Sequence, residues 1–143
     1  HYTNMVLNRL ISSDVTLSVV LFDVDDFKKI NDTYGHSVGD DVLGRLSRVV
    51  QDTLREGDHL GRWGGEEFLI ILQETDITTS LPLAQRLCSI VSTTFFKLPF
   101  PVTISIGLTA KQSGDTVRQL VERADHGMYL AKKSGKNRVV IGE

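Results

Sequence analysis

The 143-residue chain contains a single cysteine, Cys88. It therefore forms no intrachain disulfide and offers no thiolate set for structural zinc, which points to a reducing, intracellular compartment with the thiol in the core. Long apolar runs are also missing. Nothing approaches the roughly 18 to 20 consecutive apolar residues that span a bilayer, and the first residues do not read as a signal peptide. Charge of one sign is scarce: sixteen Lys plus Arg against eighteen Asp plus Glu leave a net charge of −2. A protein that wraps nucleic acid by bulk electrostatics is thereby excluded, and any polyanion must be held by a local cluster. Aromatic residues make up only 7% and form no basic-aromatic stripe, so RNA or DNA is not an expected partner. Trp63, Phe95, Phe96 and Tyr129 read instead as core or lid packing. What is present is ordinary for a globular protein, with 41% hydrophobic and 24% charged residues in 15.9 kDa. Residues 1–143 are expected to form one domain, excised from a longer protein.

Leu17 to Phe22 is a short, continuously apolar, β-branched run ending in acids, the pattern of a strand buried on both faces. Val38, Val42, Leu43, Leu46, Val49, Val50 and Leu54 repeat at helical spacing across 37–54. Leu60 to Trp63 and Phe68 to Leu72 flank a glycine turn and predict a hairpin. A second helix is expected to open at Ser80 and Pro82, followed by a strand at Val102 to Leu108. Asp115 is expected to cap a third helix through Ala131, and Arg138 to Ile141 to close as an edge strand. Strand, helix, strand, strand, helix, strand is the ferredoxin-like order, an α/β (α+β) core whose helices lie on one face of a mainly antiparallel sheet of about five strands. In that order the first and third strands are antiparallel neighbours. Asp23, at the end of the first, is thus brought to Glu66 and Glu67, about forty residues away in the chain.

That convergence carries chemistry. Asp23, Asp25 and Asp26 follow one strand, and Glu66 and Glu67 sit on a turn beside it. Carboxylates from two elements, with no His or Cys needed, suit a hard cation that keeps positions open for phosphate oxygens, namely Mg²⁺, with Mn²⁺ able to replace it. Either acidic cluster alone would read as a helix cap facing water. Gly64 and Gly65 leave the backbone free of Cβ atoms where a phosphate could approach.

Read as strings, R-W-G-G-E-E-F at Arg62 to Phe68, F-D-V-D-D-F-K-K-I-N-D at Phe22 to Asp32 and G-H-S-V-G-D at Gly35 to Asp40 resemble the GGDEF family of diguanylate cyclases, in its GGEEF form. S-I-G-L at Ser105 to Leu108 and A-D-H-G-M-Y-L-A-K-K-S-G-K-N-R at Ala124 to Arg138 extend the resemblance over nearly the whole chain. The resemblance implies a nucleotidyl cyclase fold and the condensation of two GTP into cyclic di-GMP across a homodimer. It assigns the metal to Asp23, Glu66 and the Val24 carbonyl, with Glu66 also taking the 3′-hydroxyl proton beside Glu67. Asn31 and Asp40 match the pair that reads guanine, and His36 another substrate contact. Lys28, Lys132 and Lys136 match positions that meet the phosphates. Arg55 and Asp58 form R-x-x-D, separated from Gly64 by five residues, and match a product-inhibition site, with Arg86 as a secondary ligand. The resemblance also implies a cytoplasmic domain, reaching a membrane only through segments upstream. An alternative of a different class is a domain that binds GTP or cyclic di-GMP without turnover.

Two departures are visible. Lys136 stands where the family usually has arginine, keeping the charge but losing the bidentate fork. H-Y-T-N-M-V-L-N-R-L at His1 to Leu10 matches the family's opening motif only at Asn8 and Arg9, and only Leu10 to Thr16 separate it from the first strand. A shortened segment, or one with residues missing, and weakened GTP affinity are the expectations there.

Overall fold

A computed structural model describes residues 2–143; His1, the first residue of the opening string, lies outside the described residues. The chain runs α1 (Tyr2–Ile11), β1 (Leu17–Val24), α2 (Phe27–Tyr34), α3 (His36–Thr53), β2 (His59–Arg62), β3 (Glu67–Gln73), α4 (Ile77–Thr93), β4 (Ile104–Ala110), α5 (Val117–Lys133) and β5 (Arg138–Ile141). The strands form one sheet in the order β2-β3-β1-β4-β5, antiparallel except for the β4–β5 pair. This is the expected α/β core with its five strands, β5 on the edge.

β1 is central, and all eight of its residues are buried. Its alternation divides the molecule into two cores. Val20, Phe22 and Val24 face one, with Phe27 and Ile30 of α2, Val42 and Leu46 of α3, and Leu87 and Val91 of α4. Leu17, Val19 and Leu21 face the other, with Val6, Leu7 and Leu10 of α1 and Leu120, Ala124 and Met128 of α5. Helices therefore cover both faces of the sheet, not one as the strand order suggested. The buried run of β1 requires this, since an exposed face would leave Val19 and Leu21 in water.

The element limits differ from the sequence pattern where caps decide them. α4 starts at Ile77 because the Asp76 side chain accepts from the Thr79 amide at 3.0 Å, which leaves Pro82 inside the helix. Thr78 and Pro82 are both exposed, so water can satisfy the carbonyl that proline leaves unpaired. Thr116, not Asp115, caps α5: its hydroxyl accepts from the Gln119 amide while the Gln119 side chain accepts from Thr116 N–H. Asp115 instead holds the Arg123 guanidinium through two 2.7 Å contacts. From Tyr2 onward the opening string lies in a ten-residue helix, α1, with Asn8 and Arg9 exposed and Asn8 donating to the Asn4 carbonyl.

Cys88 lies in the core, and burial pushes its thiol up to about 12. Trp63 and Phe96 pack inward as expected, whereas Phe95 and Tyr129 are exposed. No helix among the described residues is long and apolar enough to cross a membrane.

Candidate functional site at the carboxyl end of β1

β1 and β3 pair with Asp23 opposite Glu67. By strand alternation both residues share the face covered by α5. The acidic groups expected to converge do so, at the end of the central strand where the chain turns into α2. Asp23 is 7% exposed. Burial pushes its carboxyl up to about 6; the Lys132 ammonium opposes that shift, and the charges of Glu66 and Glu67 add to it. Glu67 is likewise raised, first by burial, then by Asp125 and Glu66, with Lys132 opposing. Glu66 sits half-buried in the turn between β2 and β3, where Trp63 N–H donates to the Glu67 carbonyl at 2.9 Å.

The cation beside this cluster is Lys132. Its ammonium pairs with Asp23 Oδ1 and lies 3.7 Å from Asp25 Oδ1. Asp23 Oδ1 is buried and, among the described residues, has no partner besides that ammonium. Lys136, on the turn after α5, donates to Asp26 at 2.8 Å and holds that carboxyl below its usual range. Two of the three lysines singled out in the sequence are therefore gathered over the acids. The third is not: Lys28 pairs with Asp32 at 2.8 Å on the outer face of α2, with 88% of its side chain exposed.

Among the described residues no group of three or more His, Cys, Asp or Glu side chains is placed to enclose a metal. Two carboxylates, Asp23 and Glu66, with the Val24 carbonyl beside them, fit a cation that takes few protein ligands and keeps its other positions for water and phosphate. The buried Asp23 oxygen, satisfied only by the Lys132 ammonium, is the kind of acceptor such an ion would also satisfy.

A second cluster is built by α2 and α3. The Asn31 side-chain oxygen is buried without a partner. It presses on Gly39, where a Cβ would collide with it. Asn31 is thus held next to Asp40, which is exposed and is the fifth residue of α3, beyond the turn where a helix dipole alone would account for an acid. His36, the first residue of α3, is also exposed. A carboxylate can accept from the ring and amino N–H donors of a guanine edge, while an Asn side chain can donate through its NH₂ to an acceptor and accept through its oxygen. Gly39→Ala is expected to fold, because what must move is the end of the Asn31 side chain and, by a few tenths of an ångström, the Phe27 ring, and to bind a guanine nucleotide about tenfold or more weakly, a loss readable by titration calorimetry.

The R-x-x-D pair lies at a third place, between α3 and β2. Arg55 grips Asp58 with Nε at 3.1 Å and a terminal nitrogen at 3.0 Å, and reaches the Thr75 hydroxyl at 2.9 Å. Asp58 is closed in, its side chain 2% exposed, while half of Arg55 is open to solvent. These residues line a cavity of about 290 Å³ with Glu56, Gly57, Gln73 and Glu74. Arg86 is exposed on α4 and does not line that cavity. A larger cavity of about 530 Å³ surrounds the loop between β4 and α5, where Asp115 and Arg123 already satisfy each other.

Sequence reasoning missed the roles of Asp25 and Gly39. Asp25 was grouped with the other acids, yet its carboxylate accepts the Thr103 and Ser105 hydroxyls and the Asn137 amide. The signal for Gly39 was the second glycine of G-H-S-V-G-D.

The family model for the diguanylate cyclase GGDEF domain matches residues 2–138. The diguanylate cyclase DgcM of Escherichia coli K12 is 42% identical over 124 residues, 86% of this chain and 30% of that protein. The chain spans about a third of the length of the curated relatives it matches. The coiled coil and GGDEF domain of DgcB from Caulobacter crescentus in complex with c-di-GMP superimposes with a TM-score of 0.92 at 25% identity, covering 98% of this chain and 78% of that one. The active GGEEF domain of a diguanylate cyclase from Vibrio cholerae gives 0.84 at 34% identity, over 90% of this chain and 83% of that one.

Proposed function

Since the chain belongs to the GGDEF diguanylate cyclase family, we propose that it condenses two molecules of GTP into cyclic di-GMP with release of two pyrophosphates. The observation that carries this reading is the gathering of Asp23, Glu66 and Glu67 beside Lys132, with Lys136 on the neighbouring Asp26 and a separate polar cluster of Asn31 and Asp40 on α2 and α3. The G-G-E-E-F turn presents Gly64 and Gly65 to the triphosphate. Asn31 and Asp40 hold the guanine, with His36 at the mouth of the same cluster. Lys132 and Lys136 neutralise phosphate oxygens, and exposed Lys28 is free to swing toward them.

Mg²⁺ or Mn²⁺ would be held by Asp23, Glu66 and the Val24 carbonyl, and when bound supplies charge neutralisation of the triphosphate and acidification of the attacking hydroxyl. Glu66 accepts the proton of the 3′-hydroxyl, with Glu67 lending negative charge beside it. The 3′-oxygen then bonds to the α-phosphorus of the second GTP as the bond to pyrophosphate breaks in line. Each domain holds one nucleotide, so two copies must face each other, and residues 1–143 act as one catalytic unit within a longer protein.

Product inhibition is assigned to Arg55 and Asp58, with Arg86 as a secondary contact. Arg55 must let go of Asp58 for both to grip a guanine edge or phosphate; half of Arg55 is open to solvent, and the incoming ligand must replace the contacts that the enclosed Asp58 loses. Arg55→Ala is expected to raise the product concentration that halves the rate by about tenfold or more, measured from progress curves with added cyclic di-GMP.

The nucleotide reading is tested by calorimetry with a non-hydrolysable GTP analogue and Mg²⁺, with the ATP counterpart as competitor. Binding of the guanine nucleotide, lost without divalent ion and poorly displaced by the adenine one, is expected. Equal displacement by the adenine analogue would remove Asn31 and Asp40 from the base site.

A further inference from the structure

Asp25 sits between the metal-site aspartate and the Lys136 partner, yet it does the work of neither. Its side chain is 2% exposed. Oδ2 accepts from the Thr103 hydroxyl at 2.7 Å and from the Asn137 amide at 3.1 Å, and Oδ1 accepts from the Ser105 hydroxyl at 2.6 Å. Its own N–H donates to the Thr103 carbonyl at 2.9 Å. With three donors on two oxygens and no exposure, the carboxylate has little left to offer a metal or substrate. Its bonds tie together the end of β1, the run into β4 and the turn between α5 and β5.

That turn needs an anchor. Gly135, Lys136 and Asn137 have φ of 129°, 65° and 47°, three successive residues in the left-handed half of backbone space, two of them not glycine. Such a conformation persists only where its surroundings over-determine it. The anchors are Lys136 N–H on the Ala131 carbonyl at 2.9 Å and Asn137 N–H on Asp25. Between them the Lys136 side chain is aimed at Asp26, over the acid site. Lys132, one helical turn earlier, has its ammonium 3.7 Å from the same Asp25 carboxylate.

We infer that Asp25 is a positioning residue, which acts through the 134–137 turn and through Lys132 to hold two ammonium groups toward the triphosphate. The inference rests on the cyclase reading for the identity of the phosphates, and on the hydrogen bonds above for the turn. Asp25 touches neither nucleotide nor metal in this account. Its removal therefore weakens the grip on phosphate and leaves the guanine site, built by α2 and α3, intact.

Asp25→Ala removes the anchor and the charge together. Asp25→Asn keeps an oxygen for Thr103 and Asn137, turns its NH₂ to the Ser105 oxygen, and removes only the charge beside Lys132. Amide hydrogen exchange by NMR reads the turn; a non-hydrolysable GTP analogue with Mg²⁺ and, separately, guanosine read the two halves of the site. In Asp25→Ala the Asn137 amide exchanges faster, the GTP analogue binds about tenfold or more weakly and guanosine stays within about twofold of the unmodified protein. In Asp25→Asn the Asn137 amide remains protected and the loss of analogue affinity is smaller. On a Lys136→Ala background, Asp25→Ala has a reduced effect, because part of what it positions is already gone. Unchanged affinity for the analogue in Asp25→Ala, or a proportional loss of guanosine, overturns the inference, the second result marking a general disturbance of the fold. An unmodified protein that binds no GTP analogue overturns the cyclase reading instead. In that case equal Asn137 exchange rates in Asp25→Ala and the unmodified protein still overturn the anchoring.

Discussion

Glu66→Ala is expected to lower cyclic di-GMP formation by about a thousandfold or more while leaving the melting temperature unchanged or slightly higher. Both halves of the result follow from where Glu66 lies. It is assigned the proton of the attacking hydroxyl and a share of the cation, and a positioned base alone is worth about a hundred- to ten-thousandfold. Among the described residues its side chain makes no hydrogen bond or ion pair, so nothing structural is lost with it. Burial is what chiefly pushes the Asp23 carboxyl up to about 6, and the Glu66 charge adds to that shift. Removing a like charge from that cluster relieves repulsion in the protein without metal. Lost turnover with retained or raised stability marks a residue placed for chemistry rather than for folding. Matched kinetic and thermal-melt measurements check it; turnover above a tenth of the unmodified rate would remove Glu66 from its assigned role.

Gly107→Ala is expected to be one of the most damaging small substitutions among the described residues. Gly107 lies in β4 on the face that receives α5, and a Cβ there would run into the main chain of α5 at Ala124 and Met128. Gly127 on α5 lies against Gly107, and a Cβ on it would press on the β5 carbonyl of Val140. Helix and sheet approach at backbone distance through these two glycines. Backbone cannot rotate away as a side chain can, so α5 must shift bodily and reopen packing around Leu120, Ala124 and Met128. Overpacking of this kind costs about 3 kcal/mol or more, and about 10 °C in melting temperature for a domain of this size. Thermal denaturation followed by circular dichroism reads it; a fall of less than about 2 °C would show that the approach is not tight. Because α5 also carries Lys132, a surviving fraction of Gly107→Ala should bind GTP poorly.

The same glycines show what was legible in the sequence. S-I-G-L and A-D-H-G-M were visible as strings, but that one packs on the other is a fact of tertiary structure. The convergence of Asp23 with Glu66 and Glu67 was legible because strand order alone decides it: an antiparallel neighbour pairs the end of one strand with the start of the other. β5 was read to its exact limits. The helix limits were less so, because a cap is a contest between adjacent polar residues. Asp76 and Thr116 win it by geometry that spacing does not reveal. α2 went unread because only Phe27 and Ile30 of its eight residues are buried, too few for a period. α1 carries Val6, Leu7 and Leu10 at helical spacing, whereas Asn8 and Arg9, the two residues that match the family's opening motif, face solvent. Asp25 could not be told from Asp23 and Asp26 by sequence, since its partners Thr103, Ser105 and Asn137 lie far along the chain. Lys28 was the opposite case: Asp32, four residues on, is the ordinary helical partner for it, and the structure forms that pair.

The most direct test of the central claim is chromatographic detection of product from GTP and Mg²⁺ across a range of protein concentrations. Cyclic di-GMP that forms at a rate rising more steeply than the first power of protein concentration is the predicted result, since the proposed reaction joins a nucleotide from each of two domains. Tight GTP binding with no cyclic di-GMP at any concentration would contradict the account and leave a domain that holds the nucleotide without joining two of them.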